Sequence, residues 1–261
     1  MTLPGPSKQL GQHFLVDDNI LGVIGRLADL QPDDVVLEIG PGPGALTAYL
    51  AERVAHVHAV ELDERLRPYL EDRFADRPNI ELRFADALAL EAADLDPQPT
   101  KLVSNLPYNV ATPIVVESLD RFPTIGHWTV MVQREVADRF FAEPRTKAYG
   151  AVSVLVQLAA ERSGFHPVSR TVFRPPPNVD SALVAFRRVS HPPEIPWALL
   201  KRVVEAAFAH RRKRLPNSVE LAGVAHRDEA AAALASLGRP PTARAEELAP
   251  EEFVRLAKAL G

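Results

Sequence analysis

The sequence contains no cysteine. That absence excludes a disulfide framework, a thiol nucleophile and every cysteine-ligated zinc site. The eight histidines show no HxxxH spacing. His56 and His58 stand two apart on an expected strand, and no metal is expected there. No run of eighteen apolar residues exists. The opening MTLPGPSKQLGQHF has neither a basic nor an apolar leader region, so neither a membrane span nor secretion is expected. The cytoplasm is the expected compartment.

A basic balance is missing too. The net charge is −4, whereas phosphate binding usually leaves a basic footprint. The charge is uneven, however: residues 1–190 carry 19 Lys+Arg against 25 Asp+Glu, and residues 191–261 carry 11 against 9. Within the second part, KRVVEAAFAHRRKR (201–214) holds six basic residues and the single acid Glu205. The local patch therefore matters more than the total, although a basic helix end is more often a solvated face than a binding surface.

What is present is a core-forming chain: 261 residues, 46% hydrophobic, enough for one large core and a smaller appendage. The first two-thirds alternates strand and helix, the pattern of a parallel sheet covered on both faces. Strands are expected at 35–40, 56–62, 80–87, 101–106 and 128–133. Helices are expected at ALTAYLAERV, ERLRPYLEDRF and, buried, GAVSVLVQLAAER. GFHPVSR and DSALVAFRRV read as two closing strands that give the sheet an antiparallel edge. The Pro-rich HPPEIP (191–196) predicts a boundary between a domain at 1–190 and a helical domain at 191–261. In the tail, one helix is expected from Trp197 to Arg214, stopped by Pro216, with others at DEAAAALASL and LAPEEFVRLAKALG.

LEIGPGPGALTAYL places Gly40, Gly42 and Gly44 between a strand and a helix, a turn whose backbone can approach a ligand. GPGPGA satisfies the dinucleotide pattern G-x-G-x-x-A, so a nicotinamide enzyme competes at this point. Glu38, Glu61 and Asp86, however, fall at the ends of three successive strands and would ring one nucleoside. Clustered carboxylates repel a pyrophosphate and suit a cationic, phosphate-free nucleoside. S-adenosylmethionine is such a molecule. At the fourth strand end, NLPYN reads either as an ordinary turn or as a site for an adenine amine. In the second reading, the Asn105 oxygen and the Leu106 carbonyl accept the amine protons and localise its lone pair. Pro107 removes a competing donor, Tyr108 stacks on the base, and Phe173 in VFRPPPNVDSALV forms an opposite wall.

Seven blocks occur in order: LGQHFLVDDNIL, LEIGPGPGALT, VELD, NLPYNVATP, KAYGAVSV, FRPPPNVDSALV and AFAHRRKRLPNSV. Together, over about residues 8–261, they resemble the ribosomal RNA adenine N6,N6-dimethyltransferases, in particular the branch acting on the bacterial small subunit. The resemblance implies a Rossmann-like class I S-adenosylmethionine-dependent methyltransferase with a small all-helical C-terminal domain. It implies dimethylation of two adjacent adenosines in the 3′-terminal hairpin of 16S rRNA, within the small ribosomal subunit or its precursor. It also implies cofactor contacts at His13, Leu15, Gly40, Gly42, Glu61, Asp86 and Asn105. Asn105, Leu106, Pro107 and Tyr108 would face the base and Phe173 would stack on it. The block around His13 usually carries Asn there, so the side chain departs from the pattern. RNA docking is expected at Arg211, Arg212, Lys213 and Arg214, helped by Arg145 and Lys147. The chain is expected to act as a monomer. Alternatives are a methyltransferase acting on a large-subunit (23S) rRNA adenine to confer macrolide resistance, and a noncatalytic ribosome-assembly factor.

Overall fold

The computed structural model describes residues 2–7 and 10–261; Lys8 and Gln9, the first two residues of the stretch covered by the resemblance, lie outside the described residues. In chain order the elements are β1 (Phe14–Leu15), α1 (Asp18–Ala28), β2 (Val35–Ile39), α2 (Ala45–Ala51), β3 (His56–Glu61), α3 (Arg67–Phe74), β4 (Ile80–Phe84), β5 (Lys101–Asn105), α4 (Ala111–Arg121), β6 (His127–Gln133), α5 (Arg134–Phe140), α6 (Ala151–Ala159), β7 (Ala160–Val168), β8 (Phe173–Arg174), β9 (Ser181–Arg188), α7 (Trp197–Ala209), α8 (Leu215–Leu221), α9 (Arg227–Ser236) and α10 (Pro250–Leu260). Two compact units result. One comprises Met1–Ala137 and Arg162–Arg188, the other Asp138–Glu161 and Val189–Gly261. The second unit thus includes α6, which lies well before the Pro-rich stretch at 191–196.

The first unit is built on a seven-stranded sheet in the order β4-β3-β2-β5-β6-β9-β7. Strands β4 to β6 are parallel, and β9 runs antiparallel to β6 from Ser181↔Gln133 to Arg187↔His127. Strand β2, VVLEI, is buried at every position, as a central parallel strand covered on both faces must be. Helices α1 and α2 contribute Ile24, Leu50 and Ala51 to a core with Val36, Val57 and Val103 of the sheet. Helix α1 starts because Asp17 accepts from the Asn19 N–H at 2.8 Å. Near the closing edge, Trp128 stacks on Phe186 at 5.4 Å and donates its indole N–H to Ser118 at 2.9 Å.

Two boundaries differ from expectation. Helix α6 ends at Ala159 rather than Arg162, and β7 begins at once; its Pro167 is tolerated because β7 is an edge strand. In the second unit, α7 stops at Ala209, five residues before Arg214. The stop comes from Ser218, whose hydroxyl accepts from the His210 N–H at 3.1 Å and donates to the Ala206 carbonyl at 2.7 Å. Pro216 then sits in the first turn of α8, where its missing N–H costs nothing. Pro216 starts a helix here; it does not end one. No helix among the described residues is long and apolar enough to cross a membrane.

Candidate active site

Strand β2 pairs with β3 along its whole length, but with β5 only at Val36↔Lys101 and Leu37↔Leu102. Beyond that point the Ser104 hydroxyl bridges the two strands, accepting from the Ile39 N–H at 3.1 Å and donating to the Ile39 carbonyl. The splayed carboxyl ends open a cavity, as expected where strand order reverses in an open α/β sheet. The cavity is lined by the 10–15 segment, the glycine turn, Glu38, Glu61, Asp86 and the 105–110 segment.

The glycine turn needs its glycines. Gly42 has φ +55°, and a Cβ there would lie 3.3 Å from the Phe14 ring. Gly44 has φ +83°, and its Cβ would come within 2.6 Å of Phe74. The Gly42 N–H donates to Glu61 Oε2 at 3.0 Å, while Glu61 Oε1 accepts from the Asp63 N–H at 2.9 Å. Glu61 therefore ties the turn to the end of β3, a task invisible in its sequence position. Burial, opposed by these bonds, raises its pKa. Glu38 is 1% exposed, and its Oε2 has no hydrogen-bond partner among the described residues. Burial, with the Glu61 charge adding to it, pushes Glu38 up to about 8. Asp86 is exposed at the rim and accepts from the Leu88 N–H at 2.9 Å.

The N-terminal segment closes the other side. Strand β1 pairs antiparallel with β8, Leu15 opposite Phe173 and Phe14 opposite Arg174. Gln12 donates to Asp63 at 3.1 Å. The His13 ring nitrogen Nδ1 lies 2.8 Å from the Pro175 carbonyl, and its ring lies 5.5 Å from that of Tyr108. The His13 carbonyl accepts from Asn105 Nδ2 at 3.3 Å. The imidazole thus faces the Pro175 carbonyl and the Tyr108 ring, and the main chain makes the contact to Asn105.

Asn105 ends β5, and the next N–H, that of Leu106, donates to the Met131 carbonyl at 3.1 Å. The Val110 N–H closes a turn on the Pro107 carbonyl at 3.1 Å. Tyr108 is fixed through its hydroxyl to Ser181 at 2.5 Å, and burial raises its pKa. Of the predicted residues, His13, Leu15, Gly40, Gly42, Glu61, Asp86 and Asn105 to Tyr108 all line the cavity. Phe173 does not: it is 2% exposed and sits in the core with Val168 and Leu183. Sequence reasoning passed over Gln12, Ser104 and Ser181. Ser181 lies in FRPPPNVDSALV, but no spacing signals its bond to a tyrosine 73 residues away.

In the second unit the structure brings the two basic segments together. The Arg211 guanidinium donates to the Lys147 carbonyl at 2.6 Å and pairs with Glu246 at 3.3 Å. The Arg145 N–H donates to the Glu246 carbonyl at 2.7 Å. Arg145, Lys147, Arg212, Lys213 and Arg214 are exposed.

Comparison with known proteins agrees with this geometry. The family model described as ribosomal RNA adenine dimethylase matches residues 6–260. A ribosomal RNA small subunit methyltransferase A of Rubrobacter xylanophilus is 49% identical over 253 residues, 97% of this chain and 94% of that protein. The protein of the same name from Thermobifida fusca is 46% identical, over 97% and 90%. Among solved structures, a dimethyladenosine transferase from Plasmodium falciparum shares the fold at TM-score 0.77 and 23% identity, covering 94% of this chain and 96% of that one. The 23S rRNA methyltransferase ErmE aligns at TM-score 0.65 and 33% identity, over 95% and 99%. The chain, with its class I methyltransferase sheet, belongs to the ribosomal RNA adenine dimethylase family.

Proposed function

We propose that this chain transfers methyl groups from S-adenosylmethionine to the N6 amines of two adjacent adenosines in the 3′-terminal hairpin of 16S rRNA, acting on the small ribosomal subunit or its precursor. The observation that carries the reading is the orientation of Asn105. Its Nδ2 donates to the His13 carbonyl and the residue lines the cavity, so Oδ1 is the atom assigned here as acceptor for the amine.

The cavity fits the donor molecule. Glu38, Glu61 and Asp86 line it and no lysine or arginine does among the described residues, so it offers no cation to neutralise a pyrophosphate. This disfavours a nicotinamide dinucleotide. When bound, S-adenosylmethionine supplies a methyl group on a sulfonium, already electrophilic without a metal. Leu15, Gly40, Gly42, Glu61, Asp86 and the main chain at His13 are assigned to hold it.

The remaining chemistry belongs to the side chains at the end of β5. An adenine amine is a poor nucleophile because its lone pair is delocalised into the ring. Asn105 Oδ1 and the Leu106 carbonyl accept its two protons and localise that pair. Pro107 presents no N–H to compete for these acceptors. Tyr108, held by Ser181, offers a ring face for the extruded base. Phe173 is the proposed partner on the opposite side, and reaching the base requires it to leave its buried position with the β1 and β8 ribbon. The proton released after transfer goes to water. Rate enhancement rests mainly on positioning.

Docking on RNA is assigned to Arg145, Lys147 and Arg211 to Arg214, in a C-terminal helical domain that works as part of a monomer. The small-subunit target is favoured over a large-subunit one by identity of 49% to the small-subunit enzyme against 33% to the 23S enzyme. The test is incubation of the purified chain with labelled S-adenosylmethionine and either unmethylated small subunits or unmethylated large-subunit rRNA, followed by nucleoside mass spectrometry. Dimethyladenosine near the 3′ end is expected. Label appearing only in large-subunit rRNA, or macrolide resistance in an expressing host, would overturn the assignment.

A further inference from the structure

At the opposite end of β3 from the cavity, three side chains converge. His56 and His58, two apart on β3, point to one face of the sheet, and Glu81 of β4 lies directly beside His58 in register. Glu81 Oε2 is 2.9 Å from His58 Nδ1 and 3.8 Å from His56 Nε2. One ligand atom from each residue falls within 4.8 Å of the others. The two imidazole rings are 4.4 Å apart, edge to face.

The protonation pattern makes this cluster unusual. His58 Nε2 lies 2.7 Å from the Pro97 carbonyl, which can only accept, so Nε2 carries a proton. In the neutral ring Nδ1 is then a lone pair, aimed at a carboxylate oxygen from inside a side chain only 1% exposed. Two acceptors face one another. Neither His58 Nδ1 nor His56 Nε2 has a hydrogen-bond donor among the described residues, and both atoms are buried. A single proton placed between His58 and Glu81 would relieve one of these contacts and leave His56 unsatisfied. A cation with several coordination positions would relieve all of them.

We infer that His56 Nε2, His58 Nδ1 and Glu81 Oε2 form a divalent transition-metal site of the zinc type, separate from the cofactor cavity. Two imidazoles and a carboxylate form a donor set zinc favours, with bonds of about 2.0–2.2 Å that place neighbouring ligand atoms about 3.3 Å apart. The observed 2.9 and 3.8 Å bracket that value and the two imidazole ligand atoms lie within 4.8 Å, so metal binding requires side-chain rotations that draw the three together. The outer contacts are those expected around a metal. The second nitrogen of His58 is on a backbone carbonyl, and the other Glu81 oxygen accepts from Arg83 at 3.0 Å. Glu81 is 37% exposed, which leaves the fourth position open to a water molecule. His58 and Glu61 are three residues apart on β3, about 10 Å by strand rise, so the metal is a structural clip that fastens edge strand β4 to β3. The sequence predicted no metal at His56 and His58, because the third ligand comes from another strand.

The test uses the untagged full chain, stripped with chelator and titrated with ZnCl2 by calorimetry. Thermal unfolding is followed in parallel, and CoCl2 serves as a spectroscopic probe. One Zn2+ per chain, a raised Tm and the visible bands of tetrahedral Co2+ are expected. His56→Ala and Glu81→Gln, both at partly exposed side chains, should each weaken zinc binding at least tenfold and abolish the Tm increase, while the metal-free variants unfold cooperatively. The inference is overturned by either of two results: absence of stoichiometric uptake, or equal uptake by wild type and both variants. It fails equally if imidazole nitrogen spectra in excess Zn2+ show His58 doubly protonated, since the cation would then be a proton.

Discussion

The side-chain amide of Asn105 donates to the His13 carbonyl at 3.3 Å, across 92 residues of sequence. This contact commits the amide nitrogen to the 10–15 segment, and Asn105 lines the cavity. Replacing Asn105 with Ala removes the acceptor and should lower the methyl-transfer rate about 10²–10³-fold, measured as initial rates on unmethylated small subunits. Asp at this position keeps an oxygen but loses the donor to His13, so it should restore little. A rate within threefold of wild type for Asn105→Ala would remove Asn105 from the mechanism.

Among the described residues, the Tyr108 hydroxyl is anchored by Ser181. Ser181→Ala should cost about 1 kcal/mol in urea unfolding. It should also raise KM for the RNA more than it lowers kcat, because the ring loses its fixed orientation. Unchanged KM would mean that the anchor serves packing alone.

Glu38 supplies a pH signature. Its folded-state value of about 8 lies above the ordinary 4.5, so between these limits the folded chain holds a proton that the unfolded chain has released. Wild-type stability therefore declines as pH rises through this window, and the contribution is intact below it. Glu38→Gln cannot titrate, so its stability relative to wild type should improve from pH 5 to pH 8. Urea midpoints at the two values check this; a difference independent of pH would contradict it.

Arg212, Lys213 and Arg214 are exposed, whereas Arg211 is engaged with Glu246 and the Lys147 carbonyl. Replacing the first three with Ala should weaken binding to small subunits and flatten its salt dependence by about one unit of slope per lost phosphate contact. Arg211→Ala should instead loosen the 145–147 turn. Filter binding across a salt series separates the two effects. An unchanged slope in the triple variant would mean that the patch does not touch RNA.

Arg239 grips Glu252 with two bonds of 2.7 and 2.8 Å, and the Glu252 side chain is nearly buried. The same carboxylate accepts from the Ala249 N–H at 2.8 Å, fixing the start of α10. Arg239→Ala leaves that carboxylate half-satisfied and should destabilise the chain by about 2 kcal/mol in denaturant unfolding. A loss below the error of the measurement would show that solvent replaces the arginine.

Much of this was legible in the chain itself. The alternation of apolar runs with helical patterns set the parallel sheet, since a strand buried on both faces has to be largely apolar, as VVLEI is apart from Glu38. The glycine turn and the three acids at strand ends pointed to the cavity because strand order brings carboxyl ends together. The end of α7 was not legible. Ala207 to Arg214 contains nothing unfavourable to a helix, and the break depends on Ser218, which reaches back to His210 and Ala206. Nor was the depth of Phe173, which is decided by the pairing of β8 with β1.

By itself the sequence determined the order of elements, the chemical types at each strand end and the family to which the chain belongs, because these follow from residue identity and local periodicity. Tertiary structure alone decided that Asn105 donates to His13, that Glu61 holds the Gly42 N–H, and that His56 and His58 meet Glu81. Hydrogen bonds and ion pairs act over about 3 Å of space, while their partners here lie 19 to 92 residues apart in sequence. Only the folded sheet brings them within that range.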